Sequence, residues 1–142
     1  MRSLVEKGKR DPRVVSIARM IVRGAGERDY RGEINAVTGW VRRNVRFVND
    51  PVGVETLSDP WSIVRNRAGD CDDHVVLLSA LLEAVGHKTR ARVIGRDPDH
   101  YSHVYLEVHD RSTGAWVPVD PSVQKPVGWA PPRRPSSESY AL

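Results

Sequence analysis

Cys71, His103 and Asp120 are the side chains whose types and order could perform acyl transfer. In such chemistry a thiolate attacks a carbonyl carbon, an imidazole moves the protons, and a carboxylate orients the imidazole. Cys71 is the only cysteine of the chain. It follows Gly69-Asp70, where a polar turn meets the apolar run Val75-Val76-Leu77-Leu78. A thiol in the first turn of a helix sits beside unpaired backbone N–H groups and the positive end of the helix dipole, and both favour thiolate over thiol. Each residue also has a plain reading by itself. A lone cysteine is commonly a small buried hydrophobe, a strand histidine is commonly a surface residue, and Asp120 before Pro121 is ordinary turn chemistry. Only the combination points to a site.

The combination depends on the elements that carry it. A central helix over 71–85 presents Val75, Val76, Leu78, Leu81, Leu82 and Val85, a stripe broad enough to be buried on more than one side, and Gly86 stands as its C′ residue. The period then changes from helical to alternating. Strands are expected over 89–94, over 102–108 with Val104, Leu106 and Val108 on one face and His103, Tyr105 and Glu107 on the other, and over 115–119. If His109 and Gly114 close the intervening hairpin, His103 faces Asp120 directly across the ladder, within side-chain reach. One ring nitrogen would then meet Asp120 and leave the other for Cys71.

Upstream, Asp11-Pro12 reads as the start of a helix with Val14, Ile17, Ala18 and Ile21 on one face, ended by Gly24 and Gly26. A second helix over 31–44 places Ile34, Val37 and Val41 on one side with Trp40 beside them. A short extended piece follows over 45–48 and a turn over 49–53. Asp59-Pro60 opens a helical turn bearing Trp61, Ile63 and Val64. Helices first and an antiparallel sheet last make an α+β pattern. One domain over 1–124 is expected, followed by a Pro- and Ser-rich tail over 125–142 that reads as extended or disordered.

The 142 residues are 39% hydrophobic and 28% charged, enough to bury a core, and no apolar run reaches the roughly 18 residues that span a bilayer. No apolar stretch follows the polar Met1-to-Arg10 segment, so no secretory signal is read, and the single cysteine fits a reducing cytoplasm. The net charge of +4 is concentrated near the start, in Arg2, Lys7, Lys9, Arg10, Arg13, Arg19, Arg23 and Arg28. A solvated helix face explains such a run. No aromatic residues are interleaved with it, which argues against a base-stacking nucleic-acid surface.

The chain resembles the transglutaminase-like superfamily, whose fold is related to papain. Gly69-Asp70-Cys71, the apolar helix ending at Gly86, Arg90, then Ser102-His103-Val104-Tyr105 and Val119-Asp120-Pro121-Ser122 follow that family's order, over roughly residues 30–123. Within the family the small proteins of bacteriophages and prophages are the most similar. The resemblance implies Cys71 as nucleophile, His103 as general base and acid, Asp120 as orienter, and no cofactor. It implies a papain-like core in which N-terminal helices and the Cys-bearing helix pack on the sheet. His87-Lys88 stands where the family often has Ile-Pro, and Tyr105 where it often has Trp. Trp40 and Trp61 are alternative counterparts of the family's oxyanion-stabilising tryptophan. Asp70 and Tyr105 are candidates for the substrate cleft, and the backbone N–H of Cys71 is the expected oxyanion donor.

Three readings compete. The first is a thiol acyl-transfer enzyme acting on protein or peptide amides, with water or an amine resolving the thioester. The second is a non-catalytic binding or assembly module of the same fold, its cleft blocked by the Pro-rich tail. The third is a metal site built from Asp70, Cys71, Asp72, Asp73 and His74. It is set aside because no second Cys or His pair stands at a usual spacing and the acids already suit a helix start.

Overall fold

The computed structural model describes residues 1–49, 58–97, 100–132 and 138–141. From Asp50 onward the turn expected over 49–53 lies outside these residues. Among the described residues five helices precede the main sheet: α1 (Arg2–Gly8), α2 (Pro12–Val22), α3 (Tyr30–Asn44), α4 (Pro60–Asn66) and α5 (Cys71–Ala84). Asp11, Asp29, Asp59 and Asp70 each accept a backbone N–H in the first turn of the helix they precede, which is why α2 to α5 begin where they do. A two-stranded parallel pairing of β1 (Arg46–Phe47) with β2 (Ala68–Gly69) ties the end of α3 to the approach to Cys71.

The larger sheet is antiparallel and contains β3 (Thr89–Asp97), β4 (His100–His109), β5 (Trp116–Val119) and β6 (Glu138–Ala141), in the order β5-β4-β3-β6. The core lies between this sheet and α5. Val75, Val76, Leu77, Leu78, Ala80, Leu81 and Leu82 of that helix are buried against Val93, Val104, Leu106 and Val108 of the sheet and Ile34, Val37 and Val41 of α3. Each valine, leucine or isoleucine among them stabilises the fold by about 1.5–3 kcal/mol relative to exposure, so α5 is firmly anchored. It stops before Gly86, as its sequence predicts.

One expectation is corrected and two are refined. The basic segment at the start does form a helix, α1, but not a merely solvated one: its Val5 is buried in the core, while Arg2 and Lys9 both bind the carboxylate of Glu83 on α5. The end of the tail is extended and ordered into a strand, β6, which pairs antiparallel with β3. The β4–β5 hairpin closes at Asp110 and Ala115, not at His109 and Gly114: the amide of Asp110 donates to Ala115 O at 2.8 Å. Gly114 lies inside the turn at φ 77°, a conformation that suits glycine, and Asp110 holds the turn by accepting from the backbone and hydroxyl of Ser112. The register therefore slips by two residues, pairing Leu106 with Val119. A slip of two preserves faces, so His103 and Asp120 stay on one side of the sheet as diagonal neighbours.

Candidate active site

The start of α5 is fixed in four ways before any reacting group is considered. A capping box joins Asp70 and Asp73: Asp73 N–H donates to the Asp70 side chain at 3.0 Å, and Asp70 N–H donates to Asp73 Oδ2 at 3.2 Å. The other oxygen of Asp73 accepts from Ser58 N–H, which ties in the segment leading to α4. A side chain at Gly69 would collide with Asp73, whose Cβ lies 2.5 Å from where a Cβ would stand, so only glycine lets the turn close against the helix. The ring of His74 lies between two carbonyl oxygens, with Asp70 O 2.7 Å from Nδ1 and Val45 O 3.1 Å from Nε2. It thereby binds the first turn of α5 to the end of α3.

Cys71 is the first residue of this helix, half-buried and in no disulfide. Its amide has no acceptor within the helix, by the geometry of a helix start. The hydroxyl of Tyr101 on β4 donates to Asp72 Oδ1 at 2.9 Å, joining the strand that carries His103 to the residue next to Cys71.

His103 donates from Nε2 to Asp120 Oδ2 at 2.7 Å. Its ring also lies near enough to the Cys71 side chain to feel it electrostatically, and Nδ1 is the nitrogen that Asp120 leaves free. The Asp120 bond first and the nearness of Cys71 next push the imidazole up to about 9, against the opposing effect of burial. Burial works to raise the carboxyl of Asp120, but the bonds from His103 and Ser122 outweigh it and hold the group below its usual range. Ser122 donates to Asp120 Oδ1 from both backbone and hydroxyl, so each carboxylate oxygen is occupied. Arg42 of α3 donates from Nη2 to the backbone oxygen of Asp120 at 2.8 Å and fixes the strand end from behind. The structure thus bonds His103 to Asp120 and sets Cys71 close to the same ring.

The other predicted residues fall into two groups. Asp70 is the cap of α5, and Tyr105 is buried on β4 two residues from His103. Trp40 and Trp61 share a groove with Asn44, Val64, Arg65 and Arg67, and none of Cys71, His103 and Asp120 lines it. Tyr101, Ser122 and Arg42 escaped the sequence reading. Ser122 had a local signal, because Asp-Pro-Ser is a common Asx-turn pattern. Arg42 had none, since its partner is a carbonyl far along the chain. Among the described residues no group of three or more His, Cys, Asp and Glu side chains could hold a metal ion. The acids around Cys71 are engaged instead with backbone amides and Tyr101.

Among solved structures the chain is similar to a candidate protease from Parabacteroides distasonis (13% identity, 84% of this chain and 28% of that one, TM-score 0.63). It is also similar to a candidate cysteine protease from Cytophaga hutchinsonii (20% identity, 78% and 37%, TM-score 0.63). A third is LapG of Legionella pneumophila (16% identity, 99% and 70%, TM-score 0.57). The chain spans about a third of the length of the first two. At these identities the likeness establishes the fold. In sequence comparison with curated proteins nothing matches. No described helix is long and apolar enough to cross a membrane. The family profile of the transglutaminase-like superfamily matches residues 15–121, a stretch that holds α3 to α5, β3 to β5 and all three of Cys71, His103 and Asp120, and the chain belongs to that superfamily.

Proposed function

We propose that the protein is a thiol-dependent hydrolase of protein or peptide amides, working through Cys71, His103 and Asp120. The observation that carries this reading is the position of His103, bonded to a buried carboxylate and set close to a thiol at a helix start. The chemistry needs Cys71 to attack as its thiolate, with the imidazolium of His103 beside it. Sγ attacks the amide carbonyl carbon, the C–N bond breaks, and the amine leaves with the proton of His103. The neutral imidazole then takes a proton from water as the water oxygen attacks the thioester. The C–S bond breaks, and acid and thiolate are released. The amide of Cys71 is the donor placed for the oxyanion. Asp120 keeps the ring oriented and stabilises its charge throughout. The two neighbours described as candidate proteases favour water over a second amine as the acceptor. A thiol that must remain reduced suits a cytoplasmic setting.

The test is the pH dependence of iodoacetamide alkylation of Cys71 in the native protein and in His103→Ala. In the native protein the rate at pH 6 should stay within a few-fold of its value at pH 8. In the variant it should fall to that of a free thiol, which titrates near 8.5. A native protein that tracks a free thiol, or that labels only when unfolded, would remove the enzyme and leave a scaffold.

A further inference from the structure

We infer that the groove between α3 and α4 is a docking site for an acidic polypeptide segment with an apolar side chain at its centre. This deepens the hydrolase reading and rests on it, since the segment would belong to the substrate. The groove has a volume of about 240 Å³, close to that of one large side chain, and the indoles of Trp40 and Trp61 form part of its wall. Arg65 and Arg67 stand exposed at its rim, and neither has an ion-pair partner among the described residues. The guanidinium of Arg13 stacks on Trp61 at 4.5 Å and leads into a second, more open groove of about 530 Å³ with Lys7 and Arg10. Among the described residues the acids of this surface are already committed, and Arg10 reaches Glu6 at 3.8 Å. Asp11 pairs with Arg13, and Asp59 caps α4 through Ser62. What remains is a cationic rim around an apolar slot, and its complement is a segment with carboxylates flanking a hydrophobe.

The groove stands apart from the reacting centre. On α3, Trp40 and Arg42 point about 200° apart, so the helix presents Arg42 to Asp120 and Trp40 to the groove. Yet Arg67 is only four residues before Cys71, a span of at most roughly 14 Å. A segment seated in the groove therefore needs only a few extended residues to bring an amide to the thiol. A single-stranded nucleic acid would meet the same charge, but it calls for a run of stacking rings along its path, and here two indoles share one slot.

The experiment uses Cys71→Ser protein, in which no turnover occurs, and a fluorescein-labelled peptide of glutamates around a central Leu-Trp pair, read by anisotropy. Binding is expected, weakened by added salt and weakened about tenfold by Arg65→Gln with Arg67→Gln. The same peptide with glutamine for glutamate should bind at least that much more weakly. Equal binding of the two peptides, no binding, or indifference to the arginine pair would overturn the inference. Binding of oligothymidylate with none of the acidic peptide would overturn it in favour of a nucleic-acid surface. The two proposals fail separately. Loss of the Cys71–His103 pair shows in alkylation and leaves peptide binding intact. Loss of the docking site shows in anisotropy and leaves the alkylation profile of Arg65→Gln, Arg67→Gln protein unchanged.

Discussion

Two histidines flank α5, and both donate to a carboxylate at almost the same distance, but the protein drives them in opposite directions. His103 Nε2 lies 2.7 Å from Asp120 and its imidazole is pushed up to about 9. His87 Nε2 lies 2.8 Å from Glu33, yet its imidazole is held below its ordinary range, because burial outweighs the carboxylate. The difference lies in the second nitrogen and in the solvent. The His103 side chain is 27% exposed and Cys71 stands near its ring; the His87 side chain is 0% exposed and its Nδ1 is buried without a partner among the described residues. A carboxylate alone does not make a charged imidazole. The charged form needs both N–H groups satisfied, and an N–H buried without an acceptor penalises it heavily. One end of α5 is built to hold a proton and the other to refuse one.

The largest expected consequence is in stability against pH. His103 has a folded value above its unfolded 6.5, so its stabilisation is complete below about pH 6.5 and is lost as pH rises to about 9. The shift corresponds to on the order of 3 kcal/mol. His87 has a folded value below 6.5, so its contribution is present above about pH 6.5 and is lost as pH falls. Urea unfolding from about pH 5 to pH 10 should show His103→Gln far below the wild type at pH 6 and converging with it near pH 9. His87→Phe should lose the acid-side slope of the wild type and keep the alkaline one. If both variants flatten the same side, the contrast between the two histidines is wrong.

A sharper version exchanges the carboxylates and not the rings. Asp120→Asn keeps a side chain in hydrogen-bond reach of His103 but removes its charge. The imidazole should fall from about 9 towards 6.5, and Cys71 alkylation at pH 6 should slow about tenfold. Glu33→Gln removes the corresponding charge beside His87. Alkylation should then stay within about twofold of the wild type, because His87 has no path to the thiol. Titration of the two ring C–H resonances together with the alkylation rate checks both. An Asp120→Asn protein with wild-type alkylation would separate the carboxylate from the thiol and remove Asp120 from the proposed machinery.

The contrast was half legible in the sequence. Asp120 after an alternating strand, and His103 on the face opposite Val104 and Leu106, could be read because a strand has a period of two and a cap announces a helix start. The hairpin register was misread by two residues, because Gly114 was taken as a ladder position when its positive φ belongs inside the turn. The error spared the site only because two is a whole strand period. His87 looked like a departure from a family pattern, and its partner Glu33 lies 54 residues away with no local mark. The helix α1 was hidden for the same reason. Its seven residues carry little periodic signal, and what pins it is Glu83, bound by both Arg2 and Lys9 from the far end of the core. Local periodicity announces elements; it does not announce which distant charge will hold them.

The smallest effect concerns two tyrosines. Tyr101 meets the His103 end through its hydroxyl, which donates to Asp72 beside Cys71 at 2.9 Å. Tyr30 meets His87 ring to ring, edge-on at 6.3 Å. Tyr101→Phe should cost about 1 kcal/mol in unfolding and slow alkylation two- to threefold, because strand and helix start lose one of their ties while the His103–Asp120 bond survives. The pH at which alkylation turns on should not move, since no charge near the ring has changed. Tyr30→Phe keeps the ring edge and should stay within about 0.5 kcal/mol and leave alkylation untouched. A Tyr101→Phe protein whose alkylation profile shifted along the pH axis would mean that the tyrosine sets the charge of the pair. One that matched Tyr30→Phe in every respect would mean that the capping box and His74 already fix the helix start without it.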